Sequence, residues 1–216
     1  MLELYSFFNS SAAYRVRIAL GLKGLDYRTV PVNLLGKGGG GQRDVAYLGR
    51  NPEGLVPLLV DDGHALTQSL AMIEYLDEAY PAVPLLPSDL WGRARVRALA
   101  QLIACDIHPL NNLRVLRRLA HTLQVDKPAR DDWYRHWVAT GFDALEIHLQ
   151  QSGTGLCCHG DTPGLADCCL VPQVHNARRM QLDLTPYPAI ARVAAYCENL
   201  PAFQAAHPDA QPDAPR

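Results

Sequence analysis

The stretch Ser10-Ser11-Ala12-Ala13-Tyr14-Arg15-Val16-Arg17-Ile18-Ala19-Leu20-Gly21-Leu22-Lys23-Gly24 decides the fold. Val16, Ala19, Leu20 and Leu22 recur at helical spacing from Ala12 to Lys23. Lys23-Gly24 supplies a basic last turn and a glycine stop. Ahead of it, Leu2 to Ser6 reads as a short strand broken by Asn9-Ser10-Ser11, and behind it Tyr27 to Asn33 reads as a second strand. Leu58 to Val60 and Ala65 to Thr67 flank Asp61-Asp62-Gly63, a hairpin signal, and Gln68-Ser69 open a helix to about Tyr80. The first eighty or so residues therefore read β-α-β, then β-β-α.

Pro81 to Pro87 reads as a linker, and the segments beyond it read as helices. The spacing predicts a long helix from Arg93 to Leu119 kinked at Pro109, then helices over Asp131–Gln151, Leu165–Met180 and Tyr187–Asn199. The proline-rich tail from Pro208 reads as a fraying end. The architecture is α/β plus all-α: a small mixed domain over residues 1–81 and an all-helical domain over 88–216.

Composition removes several function classes. The chain has 216 residues, a net charge of −2 and 48% apolar residues, so it has material for a substantial core and no global basic field for nucleic acid. No apolar run approaches the ~20 residues of a membrane span, and Met1-Leu2-Glu3-Leu4-Tyr5 has no basic segment leading into an apolar one. The six cysteines, Cys105, Cys157, Cys158, Cys168, Cys169 and Cys197, form neither a disulfide framework nor a CxxC metal site; they read as small buried thiols of a reduced cytoplasmic protein. The glycine run between Gly36 and Gln42 lacks the context of a dinucleotide fingerprint and the ending of a P-loop.

Four stretches together resemble the cytosolic glutathione transferases, and within them the zeta class that includes maleylacetoacetate and maleylpyruvate isomerases. They are Ser10 to Leu20, Asn51-Pro52 through Val56-Pro57, Gln68 to Leu76, and Gly160-Asp161 through Ala166-Asp167-Cys168-Cys169-Leu170-Val171-Pro172-Gln173-Val174. The resemblance covers nearly the whole chain. It implies a thioredoxin-like N-terminal domain, a helical-bundle C-terminal domain, glutathione as cofactor, cis-trans isomerisation of a small maleyl diacid (maleylacetoacetate first, maleylpyruvate second) and a homodimer, with a general glutathione-conjugating transferase or a glutathione-fold binding protein as the alternative.

Site residues follow from residue chemistry and the resemblance together. Ser10 and Ser11 at a helix start read, from the residues alone, as an N-cap; the resemblance makes Ser10 the hydroxyl that stabilises the glutathione thiolate and Ser11 its support, because a hydroxyl donor and a helix N-terminus both favour the anion. Val56-Pro57 is cis by resemblance, leaving Val56 to pair with the cysteinyl backbone. Gln68 and Ser69 precede a helix, an anion site, and by resemblance take the γ-glutamyl carboxylate. Lys37 and Gln42 are candidates for the glycyl end. His108 and Asn111, three apart, share a helix face. Asn111 joins the cofactor contacts, while His108, Asn112, Arg114 and Arg179 are the substrate's by resemblance. The chain departs from the family at Asn9 (often arginine), at Ala12 (usually cysteine), and at Leu113, where maleylpyruvate isomerases tend to carry arginine. Asp161 to Val171 reads as structural, with Asp167 in the acidic place of a capping box whose N-cap is Gly164.

Overall fold

The computed structural model describes residues 1–36, 40–151 and 153–215. The chain divides into two units: Met1–Leu85 with Asn199–Arg216, and Leu86–Glu198.

The first unit is built on a four-stranded mixed sheet. In chain order it holds β1 (Leu2–Ser6), α1 (Ser11–Lys23), β2 (Tyr27–Pro31), the short α2 (Val45–Leu48), β3 (Leu58–Asp61), β4 (His64–Leu66) and α3 (Ser69–Ala79). The strand order is β2-β1-β3-β4. β1 runs parallel to β2, pairing Leu4 with Thr29, and antiparallel to β3, pairing Leu4 with Leu59. Leu2, Leu4 and Ser6 are the buried positions of β1, the period-two face of a strand with one side on the core. The hairpin expected at Asp61-Asp62-Gly63 is present: Asp62 and Gly63 take φ of 49° and 82°, the two left-handed positions a type I′ turn requires.

α1 is buried from Ala13 to Leu20 without interruption, because α3 packs on it and so does a later helix, α9 (Pro201–Ala206). Gly24 caps it in the left-handed conformation at φ 64°, as the sequence signals. A Cβ on Gly21 would lie 3.2 Å from Ala202 Cβ, a tight contact that α9 would have to relieve by moving a few tenths of an ångström. The Pro81–Pro87 segment is anchored: Lys23 Nζ donates to Val83 O at 2.6 Å and pairs with Asp77 at 3.4 Å, and Asp77 accepts from Leu85 N.

Two expectations are corrected in this unit. The C-terminal residues do not fray and do not belong with the helical unit. Phe203 is buried, Pro208–Ala210 forms a 3-10 turn, and Asp213 accepts a hydrogen bond from Phe8 N at 2.9 Å. Proline-rich composition suggested disorder, but prolines also open short helices, and Pro201 and Pro208 both stand in the first turn of one.

The second unit is helical: α4 (Leu90–Gln101), α5 (Leu113–Arg117), α6 (Lys127–Gln150), α7 (Leu165–Arg179) and α8 (Pro188–Glu198). The single helix expected over Arg93–Leu119 is in fact two. After α4 the chain widens into a π turn at Leu102–Ile107, tightens into a 3-10 turn at His108–Asn111, and becomes extended at Asn112. Pro109 removes one backbone donor. The Asn112 side chain then caps a fresh helix by accepting from Arg114 N at 3.1 Å. α6 starts four residues before the expected Asp131, since Asp126 accepts from Ala129 N and Pro128 suits the first turn.

Of the cysteines, all are free thiols; five are buried and Cys105 is exposed.

Candidate active site

In the first unit the site is organised around two helix N-termini and the turn before a cis proline. Ser10 N-caps α1. Its Oγ accepts from Ala13 N at 3.3 Å, and its carbonyl accepts from Tyr14 N at 2.8 Å. A hydroxyl that accepts in the cap still has its own hydrogen to donate. Donor and partial positive charge therefore coincide at Ser10, and no acidic residue in the first turn opposes them. Ser11 is the first helical residue and is half-buried.

The Val56–Pro57 peptide is cis. Pairing between β1 and β3 stops at Tyr5 opposite Leu58, so Val56 lies beyond the ladder. That turn is rigid. Asn51 is fully buried; its Nδ2 donates to Leu55 O at 2.8 Å and its Oδ1 accepts from Glu53 N at 3.0 Å. Tyr47 Oη donates to the same Leu55 carbonyl, and burial pushes this phenol up to about 12. Gln42 is buried in the 3-10 turn Gly41–Arg43. Lys37 lies outside the described residues.

Gln68 and Ser69 begin α3. The first intrahelical bond runs from Met72 N to Gln68 O, so the backbone N–H groups of the turn before it have no partner within the helix. Ser69 Oγ accepts from Nη1 of the buried Arg15 at 3.3 Å, which leaves the Ser69 hydrogen to point elsewhere. Gln68 holds φ 68°, ψ 110°, a conformation an L residue adopts only under constraint. The constraint is Glu53: its carboxylate accepts from Gln68 Nε2 at 2.8 Å and from Thr67 Oγ1 at 2.9 Å.

Sequence reading missed Glu53, although Asn51 to Pro57 was singled out; a carboxylate within a recurrent turn was the available signal. It also missed Arg15, one of two buried arginines on a mostly apolar helix, a place where a charge needs a partner.

In the second unit, His108, Asn112 and Arg114 come together in sequence order. His108 Nε2 and Asn112 Nδ2 are 3.4 Å apart, and Asn112 Oδ1 holds Arg114 N. The 3-10 turn carrying His108 is pinned to α6 from two sides: Trp133 Nε1 donates to Leu110 O at 2.9 Å, and Asn111 Nδ2 donates to Tyr134 O at 3.4 Å. Asn111 is thus buried rather than sharing the half-buried exposure of His108, and its Oδ1 has no hydrogen-bond partner among the described residues. Tyr134 is pushed up to about 12 by burial, with the charge of Arg179 working against that rise; Arg179 is therefore near the same place. The adjacent Arg178 pairs with Glu198 at 2.5 Å.

Elsewhere in this unit Cys157, Asp167 and Cys197 bring two sulfurs and a carboxylate oxygen within 4.8 Å of one another. Asp167 already accepts from Cys158 N and Gly164 N, and hydrogen bonding with Cys157 together with burial raises the Cys197 thiol far above its usual range. The trio therefore stands as a hydrogen-bonded packing element.

A mixed sheet with a cis proline and a serine-capped first helix, joined in one chain to an all-helical unit, is the glutathione transferase fold. Residues 4–84 match the family described as "Glutathione S-transferase, N-terminal domain". Over 215 residues the chain is 49% identical to maleylacetoacetate isomerase of Pseudomonas aeruginosa, covering 99% of each. The holo structure of maleyl pyruvate isomerase, a bacterial glutathione S-transferase in the zeta class, superposes with a TM-score of 0.94 at 48% identity, over 99% of this chain and 100% of that one. Maleylacetoacetate isomerase of Anaeromyxobacter dehalogenans, with dicarboxyethyl glutathione and citrate bound in its active site, gives a TM-score of 0.88 at 48% identity, over 100% of this chain and 98% of that one. The chain belongs to the zeta-class glutathione transferase family of maleylacetoacetate and maleylpyruvate isomerases.

Proposed function

We propose that the protein is a glutathione-dependent cis-trans isomerase that converts a maleyl diacid, foremost maleylacetoacetate, to its fumaryl isomer. The carrying observation is the Ser10 hydroxyl at the N-terminus of α1, in a chain 49% identical over its length to a maleylacetoacetate isomerase. Maleylpyruvate is the second substrate, favoured by the TM-score of 0.94 with a maleyl pyruvate isomerase. Leu113 and Asn9 weigh mildly toward maleylacetoacetate, since maleylpyruvate isomerases tend to carry arginine at the position of Leu113 and the neutral Asn9 stands where the family often has a cation for a substrate carboxylate.

The residues present fit glutathione. In the first unit, Val56 beyond the β3 ladder suits an extended peptide backbone, and the N–H groups and hydroxyl at Ser69 suit a carboxylate; Asn111 is assigned to glutathione by the family resemblance alone. Gln42 and Lys37 are assigned to the glycyl end. When bound, glutathione supplies a thiolate that adds reversibly to the cis double bond, so that rotation about the resulting single bond and elimination return the trans isomer and the thiolate. Ser10 keeps the sulfur ionised by donating its hydroxyl hydrogen, assisted by the α1 terminus and Ser11. Glu53 fixes Gln68, and Arg15 fixes Ser69. Arg114 and Arg179 balance the diacid's carboxylates and the negative charge that develops beside them, with His108 and Asn112 orienting the same group. The bound dicarboxyethyl glutathione of the Anaeromyxobacter relative has the composition of glutathione joined to an unsaturated diacid, which supports this chemistry.

Residues 1–81 form the core of the glutathione-binding domain and the helices from residue 88 to Glu198 the substrate domain. The protein acts as a cytoplasmic homodimer in aromatic amino-acid breakdown, without nucleic-acid or membrane partners; among the described residues no helix is long and apolar enough to cross a membrane. A sedimentation mass near that of one 23.8 kDa chain would count against the dimer. The deciding experiment measures fumaryl product from maleylacetoacetate and from maleylpyruvate, with and without glutathione. Glutathione-dependent turnover is expected for both and faster for maleylacetoacetate; no turnover of either, with glutathione still bound, overturns the reading.

A further inference from the structure

The turn that delivers Ser10 is held from outside its own neighbourhood. Ser10 N donates to Phe7 O at 2.9 Å, closing the turn between β1 and α1. Within that turn both polar groups of Phe8 are claimed. Phe8 N donates to Asp213 Oδ2 at 2.9 Å, and Phe8 O accepts from Arg17 Nη2 at 3.0 Å. Arg17 is only 1% exposed. Its Nη1 donates to Ser6 Oγ and its Nε donates to Ala206 O, the last residue of α9, each at 3.0 Å. The guanidinium also lies 5.3 Å from the centroid of the Tyr14 ring, whose hydroxyl donates to Phe203 O at 3.5 Å. Burial pulls the Arg17 guanidinium down to about 10, with Tyr27, Tyr14 and Asp213 working in the opposite direction, so it remains a cation at neutral pH. One cation and one carboxylate, both tied to the last fifteen or so residues, thus grip the peptide two positions before Ser10.

We propose that the C-terminal segment from Ala206 to Asp213 is a positioning element for the thiolate site, acting through Asp213 and Arg17 on the two peptide groups of Phe8. The inference rests on the assignment of Ser10 to the glutathione sulfur. Asp213 touches neither glutathione nor the diacid; it sets where the Ser10 hydroxyl points. The segment is far in sequence and near in space, so it supplies what the short turn cannot: an acceptor for Phe8 N from outside the β1–α1 connection, and an anchor at Ala206 O for the Arg17 side chain. Small displacements of a positioned donor are costly to rate, on the order of a hundredfold per ångström at the extreme.

The test titrates the bound glutathione thiol by the ultraviolet absorbance of its thiolate, in the wild type and in Asp213→Ala, Asp213→Asn and Glu78→Gln, alongside kcat, KM and thermal unfolding. Glu78 is an exposed residue late in α3, outside the C-terminal segment, and serves as the control. In Asp213→Ala the bound thiol is expected to be about tenfold less acidic and kcat about tenfold lower, since one hydrogen bond to a charged group is lost. KM for the diacid should hold within about threefold. Asp213→Asn keeps an acceptor for Phe8 N and should fall between, and Glu78→Gln should match the wild type. Wild-type thiol acidity and kcat in Asp213→Ala would overturn the proposal. So would a fall in kcat that tracks lost thermal stability while thiol acidity is unchanged. The thiol titration needs no diacid: if the wild type turns over neither substrate, yet Asp213→Ala still weakens thiol acidity, the positioning role stands and the isomerase reading fails.

Discussion

Ser10→Ala is expected to lower kcat about a hundredfold, the loss typical of removing one preorganised donor from a developing or stabilised anion, while glutathione still binds within about threefold. The reasoning separates the two roles of this side chain. As a cap, Ser10 accepts one long hydrogen bond, 3.3 Å from Ala13 N, so its loss costs at most about 1 kcal/mol of stability. As a donor, it acts on a thiol whose ordinary pKa is roughly 8.5, so that little thiolate exists at neutral pH without help. Two further variants divide the roles. Ser10→Thr keeps both and should retain activity within about tenfold. Ser10→Asp is a good cap and suits the helix dipole, yet its charge repels the thiolate; it should fold well and turn over no better than the alanine variant. Ser11→Ala should be milder than Ser10→Ala, since Ser11 starts the helix without capping it. Stopped assays of fumaryl product, with thiolate absorbance of the glutathione complexes, decide the matter. Undiminished kcat in Ser10→Ala would remove this hydroxyl from the mechanism.

The parts legible in the sequence are those determined over short distances. Asp62-Gly63 announced its hairpin because few other residues adopt two successive left-handed conformations, and Lys23-Gly24 announced the end of α1 for the same reason. The region around Pro109 was harder. Its apolar spacing continues through the break, so periodicity reported one helix, and the competing cap supplied by Asn112 is a side-chain event that periodicity does not register. The tail was misread because its order comes from elsewhere: Asp213 meets Phe8 across 205 residues. Glu53 escaped notice on similar grounds. Its partners, Thr67 and Gln68, belong to another element, and the strained φ of Gln68 that makes the contact meaningful has no sequence signature. Ser10, Ser69 and the segment around His108 were singled out through the family resemblance, and the structure adds the contacts that hold each in place: Ala13, Arg15, and the pair Trp133 and Asn111.

Asp167→Ala is expected to be the most destabilising single change in the second unit. α7 begins at Gly164, which has no side chain to cap with, so the half of the capping box supplied by Asp167 works alone: Oδ2 accepts from Gly164 N at 2.9 Å. Oδ1 accepts from Cys158 N at 2.8 Å and faces the Cys197 thiol at 3.8 Å, so one carboxyl group ties the segment from Cys158 to Gly164 onto α7 and α8. Alanine leaves two backbone donors without acceptors in a buried place, at roughly 1–3 kcal/mol each. A loss of about 4 kcal/mol corresponds to a Tm roughly 10 °C lower for a chain of this size. Asp167→Asn keeps one acceptor and should lose about half as much. Burial raises the Asp167 carboxyl above its ordinary value, with hydrogen bonds from Cys158 and Gly164 pulling the other way. A raised folded value means that the folded state favours the protonated form. Its contribution is then complete below the unfolded pKa, about 3.9, and declines as pH rises through the folded value. The gap in unfolding free energy between wild type and Asp167→Asn should accordingly narrow from pH 4 upward, as read from urea titrations across that range. Gly164→Ser, at φ −138° and ψ −160°, is compatible with a serine cap and should add a few tenths of a kcal/mol. An Asp167→Ala chain as stable as the wild type would mean that the N–H groups of Cys158 and Gly164 find other acceptors, and that this carboxyl group does not hold the start of α7.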